Sequence, residues 1–306
     1  RMRGALDKIA LRLSFEALLQ RHESLRTAFV EDDGRTCQVI RPQGQVHFVE
    51  QRLAVADEAS IQAFLEQQTQ RPFDLLSEAL LRVALLELSE QEHILVLTVH
   101  HIVADAWSLQ VMVDALMSLY SAFIQEQPAH LPPLAVQYAD YAVWQRQWMA
   151  AGERERQLAY WTGQLGSEQP LLELPTDHPR PAQQSLRGAR LPIVLDRSLS
   201  DALKALARRE NVTLFVLLLG SFQALLHRYS GQADIRVGVP IANRHRLETE
   251  RLIGFFVNTQ VLRAEFHRDL TGADLLQQIK QTAMAAQAHQ DLPFEQLVDA
   301  LQPQRH

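Results

Sequence analysis

The sequence predicts an α/β fold in two parts, and three observations predict it. Short, nearly continuous apolar runs such as Leu81–Leu88 and His93–Val99 alternate with longer stretches whose apolar residues recur at helical spacing. The run ending at Val99 leads, across a nine-residue link, into Leu109, Met112, Leu116, Leu119, Tyr120 and Phe123, a strand followed by a helix. Pro175, Pro179 and Pro181 punctuate Leu174–Arg187 among short polar residues, which marks a linker. At 306 residues the chain suits two domains better than one.

Composition narrows the function classes. The hydrophobic share of 47% is that of a soluble globular protein with large cores. The longest uncharged apolar stretch, Val212–Ser221, is too short to span a bilayer, so no membrane partner is expected. Arg1-Met2-Arg3-Gly4 leads straight into a charged amphipathic pattern, without the look of a targeting segment. The single cysteine, Cys37, forms neither an internal disulfide nor a thiolate metal cluster, which fits a reducing cytoplasm. A formal charge of −6 argues against nucleic acid, which needs a basic face. Small molecules and protein partners remain.

The elements follow in order. Leu6–Glu23 predicts an amphipathic helix with Ile9, Leu11, Leu13, Leu18 and Leu19 on its buried side, running into a strand after Arg21–Phe29. Asp32-Asp33-Gly34 is a turn signal, with Thr36–Ile40 as the returning strand. Arg21, Glu23 and Arg26 read most simply as a structural charge cluster. Asp57–Gln70 predicts a helix closed by Arg71-Pro72. Leu81–Leu88 and Glu92–Val99 are strands about a polar turn, and a helix runs from Leu109 to Gln127 before Pro128. Tyr138 opens a helix reaching Leu165, with Tyr138, Tyr141 and Trp144 read as core. Gly188–Leu195 reads as a strand, Ser200 caps a helix to Glu210, and Thr213 caps a longer one through Tyr229. Asp234–Val239, closed by Pro240, and Phe255–Leu262 are strands, and Leu275–Gln290 is a helix.

The candidate site is His100-His101-Ile102-Val103-Ala104-Asp105-Ala106-Trp107-Ser108, where a buried strand gives way to a helix. Such junctions in α/β proteins are where ligands meet reactive side chains. Consecutive strand residues point to opposite faces. His100 and His101 therefore have different tasks, one facing packed interior and the other a cavity or a partner domain. A histidine facing a cavity exchanges a proton near neutral pH. The commonest meaning of such a pair is two ordinary histidines at a strand end. Metal binding through His101 and Asp105 lacks a third ligand nearby. A serine hydrolase lacks its Gly-x-Ser-x-Gly elbow, since Gly220-Ser221-Phe222 falls within an apolar helix. Residue chemistry admits an acyl-transfer or proton-transfer site without establishing one.

A resemblance goes further. His100–Ser108 resembles the HHxxxDG signature of condensation domains of nonribosomal peptide synthetases, a motif shared across the chloramphenicol-acetyltransferase-like superfamily. Four more blocks match in order. Arg21–Phe29 is similar to RHExLRTxF, Tyr138–Gln145 to YxDYAxWQ, Ile253–Thr259 with Arg263 to IGxFVNTxxxR, and His289–Glu295 to HQDxPFE. The resemblance implies two chloramphenicol-acetyltransferase-like subdomains, 1–175 carrying the histidine motif and 176–306, set in a V with a tunnel between them. The family's upstream SxAQxRLWF-like block has no match and the sequence stops soon after HQDxPFE, so the second subdomain is expected to be incomplete.

By the same resemblance, an upstream donor and a downstream acceptor carrier domain present thioesters on 4′-phosphopantetheine arms, beside an adenylation domain. The domain itself holds no cofactor and no metal. The acceptor amine attacks the donor carbonyl to form a peptide bond. His101 positions the amine or takes its proton, His100 is structural, and Asp105 forms a buried ion pair with Arg263 as its expected partner. Arg21, Arg26 and Asn258 are expected to be structural. Ala106 stands where the family usually has Gly; it either supplies a backbone N–H to the oxyanion or, if φ > 0 is required there, narrows the site. An epimerization domain and a non-catalytic carrier-recruiting domain are the alternatives, while His100 speaks against heterocyclization. The Ile253–Arg263 block points to an L-configured donor.

Overall fold

The computed structural model describes residues 1–301 except 54–56, 180, 182, 184, 186 and 187. Its backbone divides into two compact units, Arg1–Trp148 with Ala242–Val257, and Met149–Ile241 with the residues from Asn258 onward. The division expected at 175/176 therefore falls inside the second unit. The chain parts earlier because Gly152, at φ 106°, breaks the long helix predicted from Tyr138. The helix beyond the break buries Trp161 and Leu165 in the second core.

The first unit is built on a sheet of order β1-β6-β5-β4, comprising Met2–Arg3 (β1), His47–Arg52 (β4), Leu81–Ser89 (β5) and Glu92–Val99 (β6). β4 runs parallel to β5, and the other pairs are antiparallel. A hairpin of Thr27–Asp32 (β2) and Arg35–Ile40 (β3) stands apart, turning at Asp33 and Gly34, both with positive φ as the turn signal requires. The consecutive apolar residues Val83–Leu86 of β5 have a plain cause, burial on both faces. Leu81, Val83 and Leu85 join one core cluster, and Ala84 and Leu86 join another. The first cluster is closed by Lys8–Arg21 (α1) and Ala106–Ile124 (α3), the second by Glu58–Gln70 (α2).

α1 buries Leu11, Phe15, Leu18 and Leu19, but Ile9 is 74% exposed and Leu13 is half-exposed, so the predicted buried side is rotated. α3 is apolar and long enough to cross a bilayer by composition alone, yet Met112, Leu116 and Leu119 are buried in the first core. Tyr138–Trp148 (α4) closes the unit; its aromatic residues are half-buried and stack on one another and on Phe256, in place of the expected core packing.

The second unit packs Arg154–Leu165 (α5), Arg197–Arg209 (α6), Leu214–Ser230 (α7), Gly272–Gln287 (α8) and Phe294–Leu301 (α9) with a two-stranded ribbon, Asp234–Ile241 (β7) and Asn258–Glu265 (β8). Trp161, Leu217, Leu262, Leu276 and Ile279 anchor its core. Thr213 caps α7 as expected, but Asp196 and not Ser200 caps α6, its carboxylate accepting from Leu199 N at 2.7 Å. β7 continues through Pro240, which the sequence pattern marks as its end; an edge strand tolerates a missing N–H. β8 begins at Asn258 and not at Phe255.

The strand expected over Gly188–Leu195 does not form. Leu191, Ile193 and Val194 stand exposed, Pro192 removes a ladder donor, and among the described residues no strand pairs with the segment. Part of the linker predicted over 174–187 lies outside the described residues, and its described part carries neither helix nor strand.

Candidate active site

The chemistry-bearing loop leaves β6 at Val99 and enters α3 at Ala106. Its two histidines follow the end of β6 at Val99, outside the strand whose alternation was expected to separate them, and they differ in burial. His100 is half-buried, with its ring edge-on to Phe73 at 5.6 Å between centroids. Its backbone N–H donates to Leu80 O (3.0 Å), and its Nδ1 accepts from Ile102 N (3.1 Å). His101 is exposed, and its ring meets Phe255 at 5.1 Å and 87°.

Asp105 is the N-cap of α3, its Oδ1 accepting from Ser108 N at 2.8 Å. Ala106 takes the first helical position, with none of the positive φ that a glycine there would have served. Its amide belongs to the first turn, before intrahelical bonding begins.

Asp105 forms a buried ion pair, but with Arg244 and not with the expected Arg263. Arg244 Nη2 stands 3.0 Å from Asp105 Oδ1, and neither side chain retains appreciable exposure. Arg263 lies on β8 opposite Arg236, and its guanidinium is taken by Asp234 of β7 at 3.0 Å and by Gln164 O at 3.1 Å. A near carboxylate on the paired strand holds it there.

Ser108 does more than open the helix. It is fully buried, and its Oγ lies 2.8 Å from both Asp105 Oδ1 and Gly254 O, the acceptors competing for its one proton. The same oxygen accepts from Arg244 Nη2 (2.7 Å) and Gly254 N (3.0 Å). Arg244 Nη1 donates to Thr249 O (2.6 Å) and Leu252 O (2.8 Å), and the guanidinium lies 4.0 Å over the Phe256 ring. Phe256 N donates to Asp105 Oδ2 at 3.0 Å.

Electrostatics follow from this packing. Burial alone would push the Asp105 carboxyl up; the Ser108 amide, Arg244, the Ser108 hydroxyl and the Phe256 amide together outweigh it and hold the carboxyl below its usual range. Burial lowers the Arg244 guanidinium, opposed by Asp105.

Two other sequence blocks close on the 252–256 segment. From Arg21–Phe29, Ser24 Oγ donates to Ile253 O (2.7 Å), and Ile253 N donates to His22 Nδ1 (3.4 Å). From the Tyr138–Gln145 block, Tyr138 Oη donates to Phe255 O at 2.8 Å, and burial pushes its phenol up to about 12. Gln137 ties the two blocks together, accepting from Glu23 N (3.1 Å) and donating to Arg21 O (3.0 Å).

Gly254 is a glycine because Tyr138 packs on it: a Cβ would stand 2.2 Å from Tyr138 Cδ2. The charge cluster read from Arg21, Glu23 and Arg26 is only half present. Arg26 pairs with Glu23 at 3.4 Å and caps Arg41 O, while Arg21 donates to Pro132 O and is repelled by Arg251.

In the second unit, Asn258 holds the His289–Glu295 block. Its Nδ2 donates to Gln290 O (2.9 Å) and Leu292 O (2.8 Å), and its Oδ1 accepts from Phe294 N (3.0 Å). Gln157 is a second clamp that sequence reasoning missed, its Oε1 accepting from Asp291 N (3.0 Å) and Leu292 N (2.8 Å). Arg244 was missed as well; the available signal was a basic residue ending the uncharged run Val237–Asn243.

With this geometry in hand, known proteins place the chain. A family model of the condensation domain matches residues 1–306. A linear gramicidin synthase polypeptide from Brevibacillus parabrevis contains a segment 47% identical over 310 residues, covering 100% of this chain and 4% of that protein. Malpinin synthetase from Mortierella alpina is 41% identical over 307 residues, covering 100% of this chain and 4% of that protein. Among solved structures, the complex of the X-domain and OxyB from teicoplanin biosynthesis matches with a TM-score of 0.89 at 29% identity, over 99% of this chain and 67% of that one. The chain belongs to the condensation-domain family, with its mixed α/β fold. More particularly, it is similar to the condensation segments of nonribosomal peptide synthetases, of whose length it spans a few per cent.

Proposed function

We propose that this chain forms an amide bond between a donor aminoacyl or peptidyl thioester and an acceptor aminoacyl thioester, both carried on phosphopantetheinyl carrier domains during nonribosomal peptide synthesis. The observation that carries the reading is the division of labour in the loop. Asp105 and Ser108 are buried and locked to Arg244, while His101 alone of the motif's titratable groups stands exposed.

The acceptor amine attacks the donor thioester carbonyl, a C–N bond forms and an oxyanion develops. The C–S bond then breaks, leaving the thiolate on the donor's arm. An α-amine has a pKa near about 8, so a sizeable fraction is already neutral. His101 orients that amine by hydrogen bonding, or takes its proton and returns it to the departing sulfur. The Ala106 amide lies at the positive end of α3 and is the backbone donor offered to the oxyanion. In this reading Asp105, Arg244 and His100 hold the loop in shape and touch no reacting atom.

The test loads donor and acceptor on separate carriers and reads products by mass spectrometry. Dipeptidyl thioester that disappears in His101→Ala supports amide formation. Undiminished coupling in a folded His101→Ala protein overturns the role given to His101. Exchange of the donor α-proton without coupled product points to epimerization. The X-domain of the matched structure is in complex with OxyB; carrier-dependent capture of a protein partner with no product in either arm would assign this chain a recruiting role instead.

A further inference from the structure

We infer that Phe255 is a positioning residue for His101, setting the direction in which the imidazole faces the substrates. The inference rests on the amide-forming reading above and deepens it.

Phe255 is held from both sides and from its own carbonyl. Gly254 before it bonds the Ser108 hydroxyl through N and O, Phe256 after it donates to Asp105 Oδ2, and Phe255 O accepts from Tyr138 Oη. These bonds leave the peptide units flanking Phe255 little freedom to turn. The phenyl ring is 38% exposed, so it is not there to fill the core. What it meets is His101, perpendicular at 5.1 Å.

The two histidines are braced alike, each by an edge-on aromatic on its own side. His100 has Phe73 and, in addition, the Ile102 amide on Nδ1. His101 sits on an exposed turn, where a side chain ordinarily samples several rotamers. An aromatic pair of this geometry favours the packed rotamer by about two- to tenfold. The Asp105–Arg244 lock thereby reaches the exposed imidazole through the one side chain that the locked segment turns toward it.

The experiment uses the domain within its native flanking domains, labelled with [13Cε1]histidine and observed by NMR. The His101 resonance is identified by its loss in His101→Gln. Phe255→Leu removes the aromatic ring but keeps apolar bulk, and Phe255→Tyr keeps the ring. The expected result is that Leu abolishes the ring-current displacement of the His101 signal and lowers kcat two- to tenfold. KM for the carriers and the melting temperature hold, while Tyr behaves as the parent. An unmoved His101 signal in Phe255→Leu, or equal loss in Tyr and Leu, overturns the inference. If His101→Ala couples normally while the ring-current displacement is present in the parent and lost in Leu, the packing stands and the amide-forming role of His101 is what fails.

Discussion

Arg244 and Asp105 lie 139 residues apart in sequence and meet with Nη2 3.0 Å from Oδ1, sealed from solvent. Asp105 also caps α3 and Arg244 also gathers the carbonyls of Thr249 and Leu252, so one contact ties the histidine loop to the 252–256 segment. A buried pair adds little net stability, but stranding one member is costly, on the order of 3–5 kcal/mol. Arg244→Met is therefore expected to lower the urea-unfolding free energy by about that much. Asp105→Asn in the Arg244→Met background is expected to cost less than in the parent, because the stranded charge is removed with it. Strictly additive losses would mean that the pair carries no coupling.

Acid stability separates by group. Burial, and then the Arg21 charge, lower His22 from 6.5 to about 3. The unfolded chain therefore binds a proton below pH 6.5 that the native state refuses until about pH 3. Stability is full above pH 6.5 and falls by about 1.4 kcal/mol per pH unit through that window. Asp105, held below its ordinary 3.8, contributes stability above that value and loses it only as pH falls below it. Loss between pH 6 and 5, above the range in which the lowered glutamates Glu87 and Glu153 begin to protonate, belongs to His22, and His22→Asn is expected to flatten it. Parallel unfolding curves for parent and variant over that range would refute the assignment.

Gly254→Ala is expected to destabilise the first unit by about 1–3 kcal/mol through overpacking, since the added methyl meets the Tyr138 ring at 2.2 Å. Because the Tyr138 ring is the nearer of two obstacles, with Phe256 Cε2 at 2.8 Å, Tyr138→Ala should cost less in the Gly254→Ala background than alone. Thermal unfolding of the four proteins of this cycle measures the relief, and none would place the strain elsewhere.

What was legible in the sequence follows from range. β5 and β6 were readable because burial on both faces writes itself as consecutive apolar residues, Val83–Leu86 and Ile94–Leu97, and the Asp33-Gly34 turn because positive φ selects those residues. The histidine loop was readable as a loop. Its internal wiring was not, because the choice between Arg244 and Arg263 for Asp105 depends on which guanidinium another carboxylate claims first, and Asp234 claims Arg263 across the β7–β8 register. Ser108 stands at the start of an apolar helix, but Asp105, three residues earlier, supplies the capping carboxylate, which leaves the Ser108 hydroxyl to bond Gly254 as well. Ile9 and Leu13 show the same limit, since apolar spacing names a helix without naming which flank meets the core.

The HQDxPFE-like block makes the last prediction, because two side-chain amides, Gln157 buried and Asn258 half-buried, hold it by different atoms. Asn258 serves the carbonyls of Gln290 and Leu292 and the amide of Phe294, whereas Gln157 accepts from the amides of Asp291 and Leu292. Trp161 Nε1 adds a third tie to His289 O at 2.9 Å. Each truncation strands buried polar groups worth about 1–3 kcal/mol, which is about ten- to a hundredfold in local opening. Asn258→Leu should therefore speed hydrogen exchange at Phe294 while Asp291 stays protected by Gln157. Gln157→Leu should speed Asp291 and Leu292 and spare Phe294. If either variant released all three amides together, the block would open as one cooperative unit and the separate clamps would have no independent meaning.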